Sequence, residues 1–418
     1  MESKKLLIIY GAMETGGIET FFCRLSEERK NNNLQTKILL HYYKANKESE
    51  LYRRISKSAE IFHFDDIFNV KTEIKKRLPL LNNLSESKIS TLLRDVNHIH
   101  VTCPNDVVNA FYLTKKIKKK IKITVGFYSH LEFVWHNKIF NYHSDFEKKL
   151  IFEILPKENI FTFSKSSRTE CSRRLGVDLS KSQTFPLGVT TLSSSLNKKY
   201  SRLSSLKLCS VGRLVGFKTY NSCMIDVVSS LVNEGFAVTY HIYGSGDDLI
   251  KLRDKVDYLG LHDYVKFMGS LPYEKFDSTV LEYDIFIGSG TAVIQSASLG
   301  IISIVATDNN IDSTSYGIFN EIPDIDWNIV GQGEMFAFKN LILRILEMTE
   351  DELRYISENH AKKSLKYSMI SCLQSFENLG GIVNVADLDF QPKRYEFSRA
   401  AYRLISKAFP HAFRYKNF

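Results

Sequence analysis

Short apolar runs alternate with longer amphipathic segments along almost the whole chain, and no other feature limits the fold so tightly. A buried strand followed by a helix that must cover it, repeated many times, builds parallel α/β layers. In the first half the runs are LLIIY (6–10), TKILLHYY (36–43), HIHVT (98–102), IKITVGF (121–127) and NIFTFS (159–164). In the second half they are LKLCSVG (206–212), VTYHIYG (238–244), VKFMG (265–269), DIFIGS (284–289) and ISIVAT (302–307). A helix is expected over 219–235, with Gly235 closing it. Between the two series, PLGVTTLSSSLNKKYSRLSS (186–205) is polar and Ser-rich and reads as a linker. At 418 residues the chain exceeds what one core holds. The expected architecture is therefore α/β. Doubly wound domains over 1–190 and 206–375 are joined by a linker, 191–205, with a cleft where the carboxyl ends of the two sheets face each other. A basic, aromatic tail, 376–418, is expected to pack back on the N-terminal domain.

Charge and composition narrow the partners. The net charge is +9, which calls for an anion: nucleic acid, a membrane surface or a phosphorylated small molecule. No basic platform interleaved with aromatic residues is present, so nucleic acid is not expected. No stretch approaches the roughly 20 apolar residues of a membrane span, and the first apolar run is too short for a signal peptide. Six cysteines are scattered without metal-ligand spacing and read as reduced packing residues of a cytoplasmic protein. Two basic features each have two readings. The tail YEFSRAAYRLISKAFPHAFRYKNF (395–418) is either a helix packed on the protein or one lying on a membrane surface. KKIKKKIK (115–122) is either a solvated helix end or a contact with anionic lipid.

The segment LLIIYGAMETGGIETFF (6–22) nearly spells a phosphate-binding P-loop, but Gly17 stands where the Lys belongs and Ile18 where the metal-binding hydroxyl belongs. In the second half, CSVGRLVGFKTYN (209–221) puts Arg213 and Lys218 five apart just past a strand. A planar guanidinium and a mobile ammonium together suit a phosphate group whose charge moves; alone, such a pair is equally a surface accident. HIYGSGDDLIKLRD (241–254) and VKFMGSLPYEKF (265–276) each give a strand, a small-residue turn and a helix start. In DIFIGSGTAVIQSASLGIISIVA (284–306) a strand ends in Gly288-Ser289-Gly290-Thr291 and a helix begins, offering free backbone N–H groups to an anion.

Taken in order, GRL…K, YGSGDD, VKFMG and a small-residue loop with a helix ending in LG resemble the C-terminal domain of GT-B glycosyltransferases, most similar to family 4, whose members are retaining and use nucleotide sugars. In the first half GGIE (16–19) resembles that family's GGxE loop, SHLE (129–132) its sugar-contacting His motif, and FSKSSRTECSRRLGV…FPLGV (163–189) its run into the linker. The resemblance covers about residues 6 to 375. It implies a GT-B fold of two Rossmann-like domains, and transfer of a sugar from a UDP- or GDP-linked donor to a glycan or lipid-linked glycan. The branch is of the kind that assembles cell-surface polysaccharide, lipopolysaccharide O-antigen or capsule.

The same resemblance assigns Arg213, Lys218 and His130 to catalysis. It assigns Gly16, Gly17, Gly244, Ser245, Phe267, Met268, Ser289, Gly290, Thr291 and Gln295 to donor binding, and Glu19 and Glu132 to the acceptor side. No metal or cofactor is expected; the acidic triplets DID (324–326) and DLD (387–389) fall away from the donor strand. A cytoplasmic enzyme is implied, with peripheral contact to the inner face of the membrane. One departure stands out: of the family's two glutamates eight apart, the second aligns with Gln295 and the first falls near Ile287 or Gly288, with no carboxylate. A sugar-nucleotide epimerase of the same fold, and a weakly active or non-catalytic homologue, are the alternatives. His98 and His100 match no part of the pattern; they are expected on opposite faces of a strand and are not counted as a ligand pair.

Overall fold

The structure is a computed structural model that describes residues 5–14, 16–41, 49–69, 78–81, 83–128, 133, 135, 141–190, 198–201, 204–323, 330–385 and 388–408. The chain forms two compact units, Met1–Pro186 with Cys372–Phe418, and Leu187–Ser371. The division therefore falls at Pro186, and the chain returns to the first unit from Cys372.

The first unit holds a parallel sheet in the order β3-β2-β1-β4-β5-β6-β7. Its strands are β1 (Lys5–Tyr10), β2 (Gln35–Leu40), β3 (Glu60–His63), β4 (Val96–Val101), β5 (Ile121–Phe127), β6 (Ile160–Thr162) and β7 (Gln183–Thr184). Leu6 to Ile9 of β1 are fully buried, as expected of a central strand covered by helices on both faces. The helix Gly17–Asn31 follows β1, and Phe21, Phe22 and Leu25 are among its buried residues. Strand β6 is short, and on β5 it reaches only the carboxyl end, Val125–Phe127. The amino half of β5 is instead met by an antiparallel strand, Ile382–Val383, from the returning chain. Asn159 locks this junction, its Nδ2 donating to Ile123 O at 2.7 Å and Gly381 O at 2.8 Å.

The second unit repeats the plan with five parallel strands, β10-β9-β8-β11-β12. They are β8 (Leu206–Val211), β9 (Val238–Tyr243), β10 (Val265–Gly269), β11 (Ile285–Gly288) and β12 (Ile302–Val305). The expected helix runs Tyr220–Asn233, and Gly235 follows it with φ +85° while Phe236 N donates back to Leu231 O at 3.0 Å. In each sheet the strand order reverses once, between β1 and β4 and between β8 and β11. Ligands of doubly wound sheets bind at the carboxyl ends beside such reversals.

Candidate functional site

In the second unit the loops that leave the carboxyl ends are stitched together by backbone. Gly212 N donates to Tyr243 O at 3.0 Å, Leu214 N to Ser245 O at 2.9 Å, Gly244 N to Gly269 O at 2.7 Å and Asn309 N to Phe217 O at 2.6 Å. Two glycines permit this closeness: a Cβ on Gly244 would lie 1.9 Å from Gly212 O, and one on Gly246 would lie 2.2 Å from Leu214 O. The loop after β8 carries both expected cations. Arg213 is exposed, its guanidinium 5.9 Å from the centre of the Phe217 ring. Lys218 is half-buried and folds back on Gly212, where an added Cβ would stand 2.9 Å from its Nζ. Burial pushes the Lys218 ammonium below the usual lysine range; the Asp308 carboxylate pulls it back up and Arg213 pushes it further down. The backbone N–H of Lys218 donates to Val215 O at 2.8 Å, but its ammonium has no hydrogen-bond or ion-pair partner among the described residues.

Across the reversal, Ser289 is buried and donates to Asp308 Oδ1 at 2.9 Å. Gly290, at φ +67°, turns the chain into the helix Thr291–Ser298, which has no side-chain cap. Its first N–H groups open at the same sheet edge as Lys218. Ser245 accepts from the Ser270 hydroxyl at 3.1 Å, while Met268 is exposed and Phe267 is half-buried with the Arg253 guanidinium 5.8 Å from its ring. Gln295 sits one turn into its helix, and its Nε2 donates to Asp277 Oδ1 at 2.8 Å. Asp308 was not anticipated: an acid just beyond a strand carries no spacing signal until the fold sets it beside Lys218.

The first unit has its own cavity at the β1/β4 reversal, about 420 Å³. Tyr10, Gly11 and Glu19 line it from the β1 side, Thr102 and Asp106 from the β4 side, and Arg399 and Arg403 from the returning helix Pro392–Ala408. His41, just past β2, is hydrogen-bonded through Nε2 to Asp106 and stacks on Phe64 at 4.5 Å. Asp106, in the first turn of the helix Pro104–Lys116, is buried and also accepts from Asn109 Nδ2 at 3.3 Å. None of His41, Asp106, Arg399 and Arg403 was anticipated; they lie on three separate segments. Glu19 lines this cavity but accepts from the Tyr10 hydroxyl at 3.0 Å, its carboxylate folded over Gly16, where a Cβ would meet it at 2.2 Å. An added Cβ on Gly17 would meet nothing within 4 Å. His130 and Glu132, like the motif SHLE, lie outside the described residues.

The expectation for His98 and His100 is corrected. Residues two apart on a strand share a face, and both rings reach Thr124 Oγ1, His98 Nε2 at 2.6 Å and His100 Nδ1 at 3.1 Å. Both are buried; desolvation lowers both pKa values, that of His100 to about 3. They are neutral core residues.

No protein-family model matches the chain, and no curated protein matches it by sequence. Solved structures do. A glycosyltransferase from Rickettsia africae ESF-5 superposes with a TM-score of 0.64 at 13% identity, over 90% of this chain and 97% of that one. Anabaena HepE, in complex with UDP and glucose, gives 0.60 at 14%, over 90% and 98%. S. aureus TarM, in a complex that includes UDP, gives 0.58 at 13%, over 90% and 99%. At these identities the likeness is one of fold: two Rossmann-like units of the GT-B glycosyltransferase kind.

Proposed function

We propose that this chain is a glycosyltransferase moving a sugar from a nucleoside-diphosphate sugar to a glycan or lipid-linked glycan in cell-surface polysaccharide assembly, with retention at the anomeric carbon and no metal. One observation carries the reading. Lys218 is held half-buried at the reversal of the second sheet, beside Arg213 and without an ion-pair partner among the described residues. A cation kept at that cost suits an arriving anion, and a diphosphate is a ligand class that doubly wound sheets take at this position. HepE and TarM were seen with UDP, which makes a uridine nucleotide the first donor to test.

No carboxylate stands at Ile287 or Gly288, so the retaining route is front-face attack. The bond from the anomeric carbon to the diphosphate oxygen breaks, the acceptor oxygen bonds to the same face, and its proton passes to the departing diphosphate. Arg213, Lys218 and the opening N–H groups of Thr291–Ser298 stabilise the charge that develops there. Gln295, steadied by Asp277, serves the ribose hydroxyls; Gly17 lets backbone approach the donor. His130 would contact the transferred sugar and Glu132 the acceptor. The epimerase alternative draws no support from Glu19, whose carboxylate is engaged by Tyr10.

The test is a thermal-shift panel of UDP, GDP, ADP and CMP with their sugars, followed by Arg213→Ala. A ligand that binds only the folded state raises the melting temperature, and loss of one such charge donor is expected to slow turnover about a hundredfold. If neither UDP nor GDP moves the melting temperature, or if the variant transfers sugar at the parent rate, the reading fails.

A further inference from the structure

The helix Pro392–Ala408 has two chemically different faces. On one, Tyr395, Glu396, Ser398 and Arg399 are buried against the first unit. The Tyr395 hydroxyl donates to Glu147 Oε1 at 2.6 Å, Glu396 accepts from Leu80 N at 3.1 Å, and Ser398 Oγ accepts from His143 N at 3.2 Å. On the other, Phe397 is 64% exposed and Leu404 71% exposed. They stand about two turns apart and so share one stripe. Lys393, Arg394 and Arg403 are exposed as well. The helix contains one acid, Glu396, and it is buried and bonded to Arg399 at 2.7 Å. The outward face thus combines large apolar side chains with cations and carries no negative charge.

We propose that this face docks on an anionic membrane surface. Phe397 and Leu404 would enter the headgroup–acyl boundary while the flanking cations meet lipid phosphates. A protein partner would have to supply acids opposite each cation and pockets for both apolar residues. A lipid surface needs only a plane of negative charge over an apolar layer, which is the complement of what the helix shows. Arg403 follows the buried Glu396 by seven residues and the buried Arg399 by four, so it stands on the side of the helix that lines the cavity of the first unit. Docking through the opposite stripe therefore sets the cavity about one helix diameter from the lipid, and it follows, on the reading proposed above, that the acceptor is carried on a lipid.

The test uses the whole chain, sedimented with vesicles of phosphatidylcholine alone and of phosphatidylcholine containing one third phosphatidylglycerol. The parent is expected to sediment with the anionic vesicles only. The double variant Phe397→Ser/Leu404→Ser is expected to bind them about tenfold more weakly or less, with its melting temperature and its response to UDP unchanged. A parent that ignores anionic vesicles, or binds both kinds equally, overturns the proposal, as does a double variant that sediments like the parent. A parent that binds anionic vesicles while neither UDP nor GDP moves its melting temperature upholds the docking face and removes the donor reading.

Discussion

At Lys218 stability and function pull in opposite directions. Burial depresses its pKa and Arg213 adds to the strain, while Asp308 offsets only part of it. A lysine with a lower pKa folded than unfolded binds fewer protons in the native state, so stability rises with pH between the depressed value and the ordinary lysine value. Below that window the full penalty is present. Lys218→Met keeps the aliphatic stem and removes the charge. It is expected to melt higher than the parent below the window, with the difference shrinking as pH rises through it, and to lose its thermal response to nucleotide diphosphate. Melting curves across pH check this; identical melting at every pH would show that the ammonium costs the fold nothing. Arg213 and Lys218 were legible in the sequence because both follow one strand at a fixed spacing. Asp308 was not, because its place depends on β12 lying beside β11.

The turns that end the strands carry a different prediction. Gly244 and Gly246 both have φ +150°, and a side chain at either would strike backbone oxygen. Gly244→Ala is expected to lower stability by about 3 kcal/mol, read as a fall in the denaturation midpoint. Gly17→Ala should leave that midpoint alone, since nothing stands within 4 Å of the added carbon. Any loss of sugar transfer in Gly17→Ala would then report on donor approach rather than on folding. Most strands were readable from apolar runs long enough to fill both faces of a central position. Edge strand β3, EIFH, was not, because its partly exposed residues break the run. Strand Ile382–Val383 was unreadable for another reason: two residues make no period, and only pairing with β5 defines it. The cavity of the first unit was hidden because its walls come from β1, β2, β4 and the returning helix, which no local pattern links.

At the scale of the molecule, the last segment is part of the first unit rather than an appendage. Besides the strand on β5, the Glu377 carboxylate meets the buried Arg29 guanidinium, which also donates to Gln35 O at 3.0 Å. Tyr395 is fully buried, and the carboxylate that accepts from it, Glu147, is pushed above the usual range by burial despite donors from Tyr395 and Trp135. Tyr395→Ala empties an aromatic site and is expected to cost about 3–5 kcal/mol, measured by denaturant unfolding. The second unit, Leu187–Ser371, is thus spliced into the middle of the first. During translation, the ribosome must finish that whole inserted body before the earlier body receives its closing strand and helix. Nascent chains halted at Ser371 should therefore carry a protease-sensitive front half, and the newborn protein should depend on chaperones for longest at its beginning.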